Sequence, residues 1–144
     1  MQQITIFIGI DPDVKKSGFA VWNAKSKRFE DLRALKFWDL INEIETYTIP
    51  IHIRIEAGWL NKKSNYHSDN TQKKEIGEKI ASFVGANAQV GKLIAEWCVC
   101  NNVEHSLVKP TRRKTTKETF INLTKITDKV NQEIIDAGML VFGL

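Results

Sequence analysis

Apolar and polar residues change rhythm several times along this chain, and each rhythm predicts an element. From residue 3 to 10 the apolar positions first alternate and then run together (Ile4, Ile6, Phe7, Ile8, Ile10). β-Branched and aromatic residues at that spacing predict a strand in the middle of a sheet. A second strand is expected over 18–23 (GFAVWN), a turn at 24–27 (AKSK) and a third strand over 28–37. Connections this short make the three strands antiparallel neighbours. Phe37, Leu40, Ile41, Ile44 and Tyr47 then recur at steps of three and four, the period of an amphipathic helix over 37–47. After Pro50, Ile51, Ile53 and Ile55 alternate with His52, Arg54 and Glu56, which predicts a fourth strand.

Residues 61–74 (NKKSNYHSDNTQKK) hold almost no apolar side chain, so a long loop or a helix start is expected there. Helical pattern resumes through 75–101, where Gly85 and Gly91 mark a break or a close packing contact. Val103–Val108 predicts a fifth strand, Lys109–Lys114 a basic loop and 115–124 a short helix. A closing helix over about 130–142 carries Val130, Ile134, Ala137 and Val141 on one stripe. Trp22, Trp38 and Trp97 follow the apolar periodicity and are expected in the core. Crossover helices make the fourth and fifth strands parallel to their predecessor. The sum is one α/β domain over 1–144, with a mixed five-stranded sheet flanked by helices.

Composition narrows the class. A hydrophobic fraction of 42% and a charged fraction of 26% are those of a soluble globular protein. No apolar run approaches 18 residues, so no membrane span is expected, and the N-terminus lacks the features of a signal peptide. Cys98 and Cys100 read as reduced thiols, consistent with a cytoplasmic protein. The formal net charge of +4 is a mild basic bias whose distribution matters more than its size. Lys109–Lys117 (KPTRRKTTK) carries Lys109, Arg112, Arg113, Lys114 and Lys117 with no acidic residue. Lys62, Lys63, Lys73 and Lys74 populate a second polar region. Both segments are candidates for nucleic-acid phosphate contacts; without an adjacent site, each reads equally well as a solvated face.

The candidate chemistry lies in the carboxylates. "FIGID" stops on Asp11 and "IRIEAG" on Glu56, and a buried unpaired charge is costly. Taken alone, Asp11 is best read as a turn or cap residue. If the two strands are parallel neighbours, however, both carboxylates emerge at the same sheet edge, where open α/β sheets bind ligands. In "NQEIIDAG", Glu133 and Asp136 lie three apart on one helix face, which alone would be a solvated face. Four converging carboxylates would repel one another, and divalent cations with oxygen preference resolve the conflict. Two Mg²⁺ ions roughly 3.5–4 Å apart suit phosphodiester hydrolysis. Asp13 is an additional outer-shell candidate. Trp59, directly after "EAG", is a packing residue or a base-stacking one. His52, His67 and His105 have no partner spacing that argues for catalysis.

"IGIDPDVKKSGFAVW", "IRIEAG" and "EIIDAGMLV", in that order, resemble the RuvC-type Holliday-junction resolvases of the RNase H-like superfamily. "GANAQVGKLIAEW" resembles that family's Gly-containing helix after the catalytic Glu. The resemblance implies an RNase H-like fold with Asp11, Glu56, Glu133 and Asp136 as catalytic and metal-binding residues. It implies a Mg²⁺- or Mn²⁺-dependent endonuclease with two ions per site, cleaving branched DNA to 3′-hydroxyl and 5′-phosphate ends. It further implies a homodimer, and a bacterial or phage cytoplasmic protein. Where the family has Gly after "DP", this chain has Asp13, and Glu133 stands where Asp or His is usual. The segment 61–74 has no clear counterpart. The sequence also fits a non-catalytic nucleic-acid-binding or assembly domain with the same fold.

Overall fold

A computed structural model describes residues 3–61 and 71–144, with the backbone alone described for 71–76 and 80. The chain runs β1 (Ile6–Asp11), β2 (Ser17–Asn23), β3 (Arg28–Leu35), α1 (Phe37–Glu45), β4 (Ile51–Glu56), α2 (Thr71–Cys100), β5 (Glu104–Val108), α3 (Lys117–Thr124) and α4 (Gln132–Met139). A single 3₁₀ turn, Gly58–Leu60, follows β4. The sheet order is β3-β2-β1-β4-β5. β1, β2 and β3 are antiparallel, whereas β4 and β5 join parallel to β1.

Local chemistry explains the hairpin between β2 and β3. The Asn23 side-chain oxygen accepts from the backbone N–H of Lys25 (2.9 Å) and Ser26 (3.1 Å), the Asx geometry that turns a chain. Lys27 closes the turn at φ 58°. β4 and β5, being parallel, need long crossovers, and α1 and α2 supply them.

Side-chain alternation divides the sheet into two faces. Ile6, Ile8, Ile10, Phe19, Val21, Ile51, Ile53 and Ile55 pack against Leu40, Ile41 and Ile44 of α1 and Ile94 and Cys98 of α2. The other face carries α4. There Ala20 and Trp22 meet Ala137 and Val141 beside Phe29 and Phe142, and Phe120 of α3 packs with Val130, Ile134 and Ile135. Two glycines bring α4 unusually close: a Cβ on Gly9 would collide with the Ala137 carbonyl, and one on Gly18 with the Glu133 carbonyl. The helix backbone therefore rests directly on β1 and β2.

Several expectations change in detail. Trp38 is 72% exposed rather than in the core. It stands one residue from Phe37, and Leu40, Ile41 and Ile44 form the stripe that faces the sheet. Trp22 is buried and Trp97 partly buried. α2 begins at Thr71, earlier than the apolar pattern predicts, and passes unbroken through Gly85 and Gly91. Gly91 is instead a contact, with the Trp59 ring seated where its Cβ would be. The closing helix spans Gln132–Met139, shorter than 130–142, and ends in turns. Cys98 is buried and Cys100 exposed, both as free thiols. Among the described residues, no helix is long and apolar enough to cross a membrane.

Candidate metal and nucleic-acid site

The carboxylates meet because of strand direction. β1 and β4 are parallel with Ile10 opposite Ile55, so Asp11 and Glu56 leave the sheet at the same edge. Alternation turns both toward the face that carries α4. The docking of α4 on Gly9 and Gly18 brings Asp136 to the same place. One oxygen from each of Asp11, Glu56 and Asp136 lies within 4.8 Å of the other two. Glu133, one turn earlier on α4, is outside that group; its carbonyl is the one that faces Gly18.

Lys114 completes the cluster. Its ammonium donates to Glu56 Oε1 at 2.9 Å and to Asp136 Oδ2 at 3.0 Å. Burial lowers its pKa, but the two hydrogen bonds and the charges of Glu56 and Asp136 outweigh burial and raise it overall. Asp11 is pushed from 3.8 up to about 9, first by burial, then by the adjacent Glu56 carboxyl and the charges of Glu56 and Asp136; Lys114 offsets this only in part. The Glu56 Oε2 atom is buried without a hydrogen-bond partner. Three hard oxygen donors and a buried carboxylate oxygen without a partner fit a divalent cation that prefers oxygen, and the Lys114 ammonium occupies a cation's place between two of the carboxylates.

The second ring of contacts fixes the first. Gln132 Nε2 donates to Asp136 Oδ1 (2.8 Å) and to the Thr115 carbonyl (3.1 Å), orienting the carboxylate from one turn away. Asn131 caps α4, accepting from Ile134 N–H at 2.9 Å. After Asp11, the Asp13 side chain accepts from the N–H groups of Lys15 and Lys16, and the Asp13 N–H donates to Ser17 Oγ. Asp13 is thus a turn-former. It keeps φ out of the left-handed region, so the glycine usual at this place in the resembled family is not required. Asn87 of α2 accepts from Val14 N–H at 2.8 Å and anchors the same turn.

Two clefts flank the cluster and share Glu56, Pro110 and Lys114. One, of about 200 Å³, is walled by Pro12, Trp59, Asn87 and Pro110. The other, of about 250 Å³, is walled by Arg54, Lys109, Thr111, Thr115 and Asp136. Lys109, Arg112, Arg113 and Lys117 are exposed on the loop and helix that follow β5. Lys62 and Lys63 lie outside the described residues, as do the side chains of Lys73 and Lys74 on α2.

Sequence reasoning missed Lys114 as a member of the cluster and treated it as one more basic loop residue. A signal was available: β5 runs parallel to β4, so the chain leaving β5 must emerge at the same edge as Glu56. Gln132, four residues before Asp136, had the helix spacing of a side-chain pair. Nothing in the sequence marked Asn87.

This sheet order, with its three antiparallel and two parallel strands between helices, defines an RNase H-like α/β fold. The fold matches the RuvC of Thermus thermophilus in complex with a Holliday-junction substrate, at a TM-score of 0.59 and 12% identity, covering 96% of this chain and 91% of that one. Another Thermus thermophilus RuvC structure matches at a TM-score of 0.48 and 14% identity, over 96% and 92% of the two chains. No protein-family model and no curated protein sequence matches the chain. At these identities the likeness is one of fold.

Proposed function

We propose that this protein is a metal-dependent endonuclease acting on branched DNA, a Holliday-junction resolvase-like enzyme in which the chain acts as one nuclease domain. The observation that carries the proposal is the convergence of Asp11, Glu56 and Asp136, from β1, β4 and α4, at one sheet edge beside a basic loop. The two-ion chemistry expected of such a site would activate water and neutralise charge at the scissile phosphate. The Asp11 carboxyl, held in the protonated form by burial and by its acidic neighbours, would give up that proton on binding a cation. Glu133 lies outside the oxygen group and would act through solvent or not at all. Lys114 would leave one or both carboxylates for phosphate when the cluster takes up metal. Exposed Arg112, Arg113 and Lys117 would hold the DNA backbone. A four-way junction has two strands to cut, so a homodimer with a twofold axis suits the substrate.

A second reading has its own support. Lys114 already partners two of the three carboxylates, as it would in a nucleic-acid-binding domain that keeps the fold without cleavage. Cleavage of a synthetic four-way junction separates the two, with duplex, single-strand and hybrid controls in Mg²⁺, Mn²⁺ or EDTA. Paired nicks that need metal and vanish in Asp11→Asn and Asp136→Asn establish the nuclease. Tight binding with no cleavage in any metal establishes the binding domain.

A further inference from the structure

We infer that Arg54 forms an anion site for the phosphodiester next to the one being cut, on the part of the sheet face that α4 leaves open. The inference rests on the nuclease proposal and adds a specific substrate contact to it. α4 packs chiefly on β2 and β1. Beyond it, His52, Arg54 and Glu56 project from β4 on the same face, because Ile51, Ile53 and Ile55 take the other. The 250 Å³ cleft lies over this part of β4.

The basic side chains of this face differ in how they are partnered. His52 bonds to Ser106 Oγ (2.8 Å) and Glu104 (3.1 Å). Lys114 holds Glu56 and Asp136. Arg54 Nε, by contrast, is buried with no acceptor, and no carboxylate among the described residues lies within 4.0 Å of the guanidinium. A buried donor without a partner is costly, and more so when charged. Such a group is readily explained where an acceptor arrives from outside. The guanidinium fork matches phosphate with two parallel hydrogen bonds, and Lys109 and Thr115 line the same cleft as further donors. The spacing agrees. Two residues along a strand advance about 6.6 Å, of the order of the step between neighbouring phosphates on one nucleic-acid strand. A phosphate at Glu56 would therefore place its neighbour near Arg54.

The test uses a synthetic four-way junction in Ca²⁺ buffer, which separates binding from cleavage, and measures affinity against NaCl concentration. Arg54→Gln should weaken binding roughly 10-fold and flatten the slope of log affinity against log salt by about 0.9, the value of one lost phosphate contact. Arg54→Lys should recover the slope but not the full affinity, since an ammonium lacks the fork. Should Arg54→Gln fail to fold, the Nε–H resonance of Arg54 in the wild-type protein gives the answer: it should move on adding junction. Wild-type binding with unchanged affinity and slope in both variants, or an unmoved Nε–H signal at saturation, overturns this inference and leaves the nuclease proposal standing. A wild-type protein that neither binds nor cuts the junction overturns both.

Discussion

Replacing Gly9 by alanine adds one methyl group and should disturb the site at a distance. A Cβ there would lie against the Ala137 carbonyl oxygen, far inside the 3.0 Å that real Cβ contacts respect, with Leu140 Cβ at 3.4 Å. The obstacle is backbone, so no rotamer change relieves it, and α4 must lift by about 1 Å. Elsewhere in a strand, glycine to alanine is mildly favourable, by roughly 0.5–1 kcal/mol. Overpacking reverses that sign and costs about 1–3 kcal/mol. For a chain of this length, the melting temperature should fall by about 3–9 °C. Asp136 immediately precedes Ala137, so the same lift carries one carboxylate away from the other two. Misplacement of about 1 Å can cost roughly 100-fold in rate. Gly85→Ala is the control: it lies in α2, exposed, with no atom within 4 Å of a Cβ. Here helix propensity alone acts, and stability should rise by about 0.8–1 kcal/mol. Circular-dichroism melts with and without Mg²⁺, beside junction cleavage, measure both variants. A Gly9→Ala protein that melts like wild type, with its full Mg²⁺-induced shift, would refute the seating of α4 on β1.

Other outcomes follow from the same geometry. Because the Asp11 pKa is raised from 3.8 to about 9, the folded protein binds a proton over that range that the unfolded chain does not. Metal-free stability should therefore fall as pH rises from about 4 to 9, and Asp11→Asn should flatten the trend in pH-resolved melts. Mg²⁺ should stabilise more at pH 8 than at pH 5, because displacing that proton costs less as pH approaches the raised pKa; an equal shift at both pH values would count against metal at Asp11. Gly91→Ala should displace the Trp59 ring, whose atoms lie 2.5 and 2.7 Å from the added Cβ, and shift Trp59 emission, obtained by subtracting the spectrum of the matching Trp59→Phe variant, to the red. Asn131→Ala removes the α4 cap and should cost about 1 kcal/mol in a denaturant melt.

The sheet was legible in the sequence because strand signals there are strong. Ile51, Ile53 and Ile55 alternate without interruption, and β1 is dense in β-branched residues. Convergence of the carboxylates could be argued only conditionally, since periodicity does not say whether two strands are neighbours. That fact belongs to the crossovers. Trp38 misled because hydrophobicity is a property of the residue, while burial depends on its angle around the helix. Lys114 misled for the opposite reason: a basic loop is solvated by default, and only the parallel pairing of β4 and β5 brings it to Glu56. Arg54 looked like the polar half of a strand alternation. That its Nε meets no acceptor among the described residues is a three-dimensional fact.

The order in which the site's parts leave the ribosome has a consequence of its own. Asp11 and Glu56 belong to strands made early, but Lys114 and Asp136 come from the last third of the chain. The β1–β3 meander can form from local contacts while synthesis continues, whereas β4 must wait for α1, and β5 for α2, before either can pair. α4 is the last of these elements to be made, and with it comes the third carboxylate. A growing chain therefore carries two acidic strand ends but no complete cluster, so the chemistry proposed here becomes available only at the end of folding.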